Sequence, residues 1–375
     1  VNQKQAVIEK EGIILEGLTV KNSTGDTELK AGEDYSAAFD STTGFLTITM
    51  LAGGKGAAAT AIKVSGKVID PSKVTKEDVI GAVDPSTGAE TGAQVIRQVY
   101  PRLGIVPGLI LAPGWSQFPE VGLALAAKAA KINGVYSAMA LLDLDTAKAK
   151  KYTDTKSVKE ESGYTSPFCY PLWPCDRVGE YILAKSAVAG AMIQYMASDN
   201  EDVPNQSPSN HLLGVGGQCL EDGTEVYLDQ DQANTVNGYG VTTAINQNGY
   251  RLWGNYTGAY PASSDAKDIW FAVRRMFSWQ GNNFIQTYFD EVDDPMNNVL
   301  VQSVVDSENI RCSAYAPKYW AGASIEYKSD DNPKTAILAG TMKFRQHIAP
   351  YTPAQEIVDI IDYDTDTLAA AVGGN

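Results

Sequence analysis

The spacing of apolar residues changes along the chain, and the predicted element type changes with it. From Lys30 to Met50 the sequence reads KAGEDYSAAFDSTTGFLTITM. An extended run is followed by a polar Ser41-Thr42-Thr43-Gly44 turn, then by Phe45, Thr47 and Thr49 alternating with Leu46, Ile48 and Met50. A period of two on either side of a turn predicts a β-hairpin. Ala57 to Val68 supplies a further strand, which Asp70-Pro71 ends. Residues 1 to about 90 therefore predict a small antiparallel sheet or sandwich.

Near Asp78 the period changes. Val95, Ile96, Val99 and Leu103 have helical spacing within Thr91 to Leu103, Leu109 to Ala112 is a short apolar strand closed by Pro113-Gly114, and Pro119 to Ile132 is an alanine-rich helix stopped by Asn133-Gly134. A second apolar strand, Val135 to Leu144, completes a strand, helix, strand unit. Short, wholly apolar strands imply a parallel sheet covered by helices, with right-handed connections. Residues 167 to 173 and 211 to 215 predict further strands, with a helix from Ile182 to Ala197 between them. In the last third, Val299, Leu300, Val304 and Ile310, widened by Val301 and Val305, predict an amphipathic helix within Pro295 to Tyr315. Asn332-Pro333 precedes a predicted strand from Ile337 to Ile348, and Gln355 to Tyr363 alternates imperfectly before a small-residue tail. The fold class expected is a multidomain α+β and α/β chain, divided into a β-rich domain at 1–90, a central α/β sheet domain at 91–240 and a mixed α/β domain at 241–375.

Size and charge narrow the function classes. At 375 residues the chain exceeds the ~250–300 at which single cores stop growing, so more than one domain is expected. A net charge of −15 argues against broad contact with nucleic acid or an anionic membrane, both of which would repel it. Pro107, Pro113, Lys128 and Lys131 interrupt the longest apolar stretches well short of the roughly 20 residues of a spanning helix, so no membrane insertion is predicted. The opening VNQKQAVIEKEG lacks the cationic and apolar regions of a secretory signal, and Val1 in place of methionine is read as trimming or processing. Cys169, Cys175, Cys219 and Cys312 are too scattered for a disulfide framework, so reduced cytoplasmic thiols are expected. Cys169 and Cys175 form no C-x-x-C and have no neighbouring histidine to complete a zinc site.

The best enzyme-like signal is Asp143 and Asp145 in LLDLD, at the end of a predicted parallel strand, where catalytic groups and metal ligands often sit. The competing reading is a pair of carboxylates at a strand end that face solvent or cap the next segment. No P-loop accompanies them, His211 and His347 lie in no hydrolase or zinc motif, and Gly214-Val215-Gly216-Gly217 reads as a turn rather than a nucleotide loop. The acidic clusters Asp229, Asp231 and Glu291, Asp293, Asp294 lack the twelve-residue calcium loop and read as solvated charge.

The segment GYRLWGNYTGAYPASSDAKDIWFAVRRMF, Gly249 to Phe277, concentrates large aromatics and paired arginines with no nucleophile or base beside them. Such residues anchor interfaces. The turn Trp253-Gly254-Asn255-Tyr256-Thr257 followed by Val273-Arg274-Arg275 resembles the contractile-tail sheath proteins of bacteriophages and phage-derived particles, which carry a WG-x-x-T turn and a basic helix ending in V-R-R. Ala112-Pro113-Gly114-Trp115-Ser116 before the alanine-rich helix is similar to the family's APG-x-S segment. Lys185 to Gly190 followed by Ser209-Asn210 matches its PPSA-x-x-AG and A-N pair without the double proline and with serine for alanine, and Ile80 to Asp84 with Thr87-Gly88 and Thr91-Gly92 resembles the start of this domain in prophage-type sheaths. The family often has an arginine where this chain has Tyr256. The resemblance runs in order from roughly 78 to 363, while the first 90 residues match only a variable decoration.

What the resemblance implies is a non-enzymatic structural subunit without cofactors, polymerising as stacked hexameric rings around a tail tube and contracting. Its partners would be neighbouring subunits, the tube, the baseplate and the tail terminator, in a virion tail assembled in the bacterial cytoplasm. Residues 241–375 would form the sheath core with a terminal arm that adds a strand to a neighbour's sheet. Trp253, Tyr256, Lys267, Arg274 and Arg275 are the expected assembly interface. The alternative of another class is an α/β hydrolase using Asp143 or Asp145.

Overall fold

A computed structural model describes residues 4–373. It divides into two units, one ending at Thr75 and the other beginning at Lys76. In the first, the strands β1 (Gln5–Ile8), β2 (Ile13–Asn22), β3 (Glu28–Leu29), β4 (Tyr35–Phe39), β5 (Leu46–Met50) and β6 (Ile62–Val68) form two antiparallel three-stranded sheets, ordered β1-β5-β4 and β3-β2-β6. The expected hairpin is β4–β5, with Phe39 opposite Leu46. Its turn is fixed by the Asp40 carboxylate, which accepts from the backbone N–H groups of Thr42 and Thr43. Alternation along β5 buries Leu46, Ile48 and Met50, which pack with Val20, Leu29 and Tyr35 between the sheets.

The second unit opens with α1 (Lys76–Ile80), which packs on the helices that follow, so residues 76–90, grouped by pattern with the β-rich region, fall in this unit instead. Thr91 to Leu103 is a 3₁₀ helix over Gly92–Gln98 continued by α2 (Val99–Leu103). The central sheet is parallel, ordered β7 (Leu109–Leu111), β8 (Met139–Asp143), β9 (Cys169–Leu172). Between its first two strands runs α3 (Pro119–Ala130), and α4 (Thr155–Ser162) precedes β9. The strand β8 is buried throughout and explains why its sequence shows no alternation. Ala140 and Leu142 pack against Val121, Leu125 and Ala129 of α3, while Met139 and Leu141 face Ala189, Met192 and Ile193 of α5 (Lys185–Ser198). Gly122 of α3 is required by close approach, since a Cβ there would lie 2.0 Å from the Tyr164 hydroxyl.

Before α5, β10 (Cys175–Val178) and β11 (Tyr181–Leu183) form an antiparallel pair, and β12 (Gly217–Cys219) flanks β10 on its other side. Residues 211–215, expected to be a strand, are not one. Leu212 makes a single bridge to Arg251 and remains exposed, because Gly214 adopts a left-handed φ of 68° and turns the chain. Then come α6 (Gln230–Gly238) and the hairpin β13 (Thr243–Asn246) with β14 (Tyr250–Trp253).

The basic helix expected to end at Val273-Arg274-Arg275 is broken at Trp270, whose extended backbone separates α7 (Ala266–Ile269) from α8 (Phe271–Thr287), so these three residues open a helix rather than close one. The next helix is α9 (Asn298–Ala314), capped by the Asn297 side chain. Its buried face keeps Val304 of the expected stripe but adds Glu308 and Cys312, while Val299 is 77% exposed. A glutamate takes a core position because Arg311, Gln280, Gln346 and Tyr288 all donate to its carboxylate. The strand β15 (Trp320–Glu326) packs on α9 and pairs antiparallel with β16 (Arg345–Pro350). The predicted strand at Ile337–Ile348 splits. Pro333 starts a helix, α10 (Lys334–Leu338), Gly340 ends it with a φ of 76°, and only the last residues join β16. Residues 351–364 form neither helix nor strand, and α11 (Thr365–Ala371) follows with no buried residue.

Candidate assembly surface

The aromatic turn is built onto the central sheet from β14. Tyr170 of β9 donates to the Gly254 carbonyl at 2.8 Å and stacks on Phe271, with ring centroids 4.0 Å apart. Gly254 has a φ of 147°, and a Cβ on it would meet Thr242 at 2.5 Å, so no other residue fits the WG turn here. Beyond it, Thr257 N–H donates to Ile269 and Phe271 N–H to Asn255, closing the turn against the α7–α8 corner.

The expected interface residues occupy three settings. Trp253 is half-buried and donates its indole N–H to Asn234 at 2.8 Å. Tyr256 is buried between Tyr260, at 3.7 Å and nearly parallel, and Trp270, at 4.7 Å, and its hydroxyl donates to Gln355. Both line a groove of about 580 Å³ whose far side is Gln355, Glu356 and Ile357. Lys267 reaches Asp265 and Asp268 at 3.7 and 3.9 Å. Arg274 is occupied inside the chain, bonded to Asp268 at 3.1 Å and stacked over Phe168 at 4.5 Å. Arg275 has no carboxylate within ion-pair reach among the described residues. It lies over Phe271, and burial pushes its guanidinium down to about 10. The structure thus brings Trp253 and Tyr256 to one groove, joins Lys267 and Arg274 through Asp268, and leaves Arg275 apart. Asp268, Phe168, Asn234 and Gln355 were not singled out by sequence. Gln355 lies 99 residues from its partner, and no local spacing signals such a contact.

Asp143 is inside the protein rather than at a solvent-facing strand end. Its Oδ1 accepts from Ser186 N–H at 2.8 Å, and its Oδ2 accepts from the hydroxyls of Ser116 at 2.9 Å and Ser186 at 2.5 Å. Burial pushes the carboxyl upward from the usual range, against the pull of these donors. Asp145 accepts from Ala147 N–H and caps the following turn. Neither carboxylate lines the grooves beside Arg97, Arg275 or Tyr256. Asp143 therefore ties the APG-x-S segment, β8 and the start of α5 together. Asp143→Asn replaces acceptors by an amide that cannot satisfy every hydroxyl and is expected to cost about 1–3 kcal/mol in urea unfolding. A wild-type midpoint would refute the tie.

Partial dehydration of the ring and then Arg251 disfavour the charged form of His211, and His347 pairs with Glu326 at 3.0 Å. Cys169, Cys219 and Cys312 are buried, and burial pushes the Cys169 and Cys312 thiols up to about 11, which suits inert packing rather than reactivity. Among the described residues no three His, Cys, Asp or Glu side chains cluster to hold a metal ion, and no helix is long and apolar enough to cross a membrane.

No protein-family model matches the chain. It is 27% identical to the tail sheath protein of Burkholderia phage BcepMu over 96% of this chain and 76% of that protein. It is 24% identical to the tail sheath protein of Escherichia phage P2 over 76% and 69%. Among solved structures it resembles a chain of the anti-feeding prophage baseplate, with a TM-score of 0.58, 19% identity, and 76% of this chain and 75% of that one covered. It also resembles the PVC sheath complex of an extracellular contractile injection system in its contracted state, with a TM-score of 0.58, 18% identity, and 74% and 76% covered. The resemblance carried by the WG turn, the APG-x-S segment and the V-R-R helix is borne out, and the mixed α+β architecture with several small sheets is that of sheath proteins.

Proposed function

We propose that this chain, a relative of the tail sheath proteins of phages and prophages, is a structural subunit that polymerises as stacked hexameric rings around a tail tube and contracts to drive that tube through a cell envelope. The kinship with sheath proteins over nearly the whole chain carries this reading. Its partners are then neighbouring copies, the tube, the baseplate and the tail terminator, and its place is the virion tail, assembled in the bacterial cytoplasm. It works without catalysis or cofactor. The free energy is stored at assembly in an extended packing held by a kinetic barrier. If contraction buried a further ~400 Å² of apolar surface per subunit, the gain would be ~10 kcal/mol as an upper bound, multiplied along the tail.

In this reading the first 90 residues lie outward, while α8 and α9 lie toward the tube. Trp253, Tyr256, Lys267, Arg274 and Arg275 form part of the contact surface between copies. Electron microscopy of the chain at high concentration is expected to show rings or tubes, and a reconstruction to place the β-rich unit at the outer radius. A chain that stays monomeric at every concentration, or a β-rich unit against the tube, would overturn the corresponding part.

A further inference from the structure

Arg275 lines an open groove of about 750 Å³ bounded by the Gly104–Leu111 segment, α5 and α8. Its guanidinium is partly dehydrated, and among the described residues no carboxylate lies within ion-pair reach of it. One turn further along α8, Ser278 lines the same groove, is 6% exposed, and has no hydrogen-bond partner for its hydroxyl. Ile105, Leu109 and Leu111 supply apolar surface opposite, and Ile105 is exposed. Asp202, the one acidic residue on the lining, is exposed and makes no ion pair with Arg275. A planar cation without a carboxylate partner and a buried hydroxyl without a hydrogen bond, side by side on apolar surface, are matched by a carboxylate flanked by apolar side chains.

The geometry points to this groove as the docking site for a carboxylate-bearing apolar segment of a second copy of the chain, an inference that rests on the polymer reading above. A second copy has the required chemistry. The chain has 45 acidic against 30 basic side chains. Its Phe289–Met296 loop exposes Phe289 and Val292 among Asp290, Asp293 and Asp294. Desolvation in such a groove strengthens a bidentate carboxylate contact and fixes its orientation.

Arg275→Met keeps the length and the packing on Phe271 while deleting the charge. The variant is expected to melt at or above the wild-type temperature, because it removes a dehydrated unpaired cation, yet to need at least ten-fold more protein to polymerise in sedimentation and electron microscopy. Asp202→Asn is expected to polymerise like wild type. An Arg275→Met chain that polymerises normally, or that melts several degrees low, overturns the inference, as does an Asp202→Asn chain with the same assembly defect. Normal wild-type polymers alongside an unaffected Arg275→Met would defeat the groove alone. A wild-type chain that never polymerises would defeat the polymer reading beneath it.

Discussion

Asp176→Ala and Lys185→Met are each expected to lower the unfolding free energy by about 3–5 kcal/mol, while the double replacement Asp176→Leu with Lys185→Met recovers most of that loss. The pair joins β10 to the first residue of α5, and both side chains are fully buried. The ammonium donates to one carboxylate oxygen, and the other oxygen has no partner. Burial pushes the Asp176 carboxyl up, and the Lys185 charge pulls it back. Removing one member leaves the other charged and dehydrated, whereas apolar residues at both positions remove both desolvation penalties. The site also has mechanical reach. Lys185 is followed by Ser186, which holds Asp143, so the start of α5 is fixed to β10 and β8 through consecutive residues. Urea unfolding of the two single variants and the double variant gives the coupling directly. Single losses below about 1 kcal/mol would show that the pair holds nothing in place.

The parts legible from sequence were those decided by short-range pattern. The alternation of Leu46, Ile48 and Met50 sets the face of β5, and the unbroken apolar run of β8 identifies a strand covered on both sides. The ordered motifs likewise led to the sheath resemblance. What failed was decided by partners far away in sequence. On α9 the apolar stripe put Val299 and Ile310 inward, but the face packed on β15 is the one carrying Val304, Glu308 and Cys312. Nothing in the local spacing shows that Gln280 and Gln346 wait to satisfy Glu308. Asp143 could be singled out, but not Ser116 and Ser186, 27 and 43 residues away, which turn it from an enzyme-like acid into a brace. The aromatic and arginine cluster was also visible, yet its division was not. Asp268 and Phe168 occupy Arg274 within the chain and leave Arg275 as the cation facing a groove.

A chain ending at Ala354 is expected to fold, melting within a few degrees of the longer chain, and to form no polymers. The last strand ends at Pro350, and the Tyr351 hydroxyl still donates to Pro317. Among the described residues, what the truncation removes from the fold is small: one hydrogen bond from Tyr256 to Gln355, worth about 1 kcal/mol, and a helix, α11, with nothing buried. If the segment docks on another copy, what the truncation removes from assembly is large. Ile357 and Ile361 are 89% and 87% exposed, and Val358, Ile360 and Tyr363 are also uncovered, with Glu356, Asp359 and Asp362 between them. Burying the four aliphatic side chains against another copy would contribute roughly 6–12 kcal/mol as an upper bound, enough to offset much of the cost of association. An extended backbone would add strand hydrogen bonds that persist while the bodies of the subunits move. Sedimentation and electron microscopy of the truncated chain, with Ile357→Asp plus Ile360→Asp as a full-length control, separate the two contributions. Polymers from both variants would remove this segment from the contact between copies, and a truncated chain that fails to fold would make it part of the core.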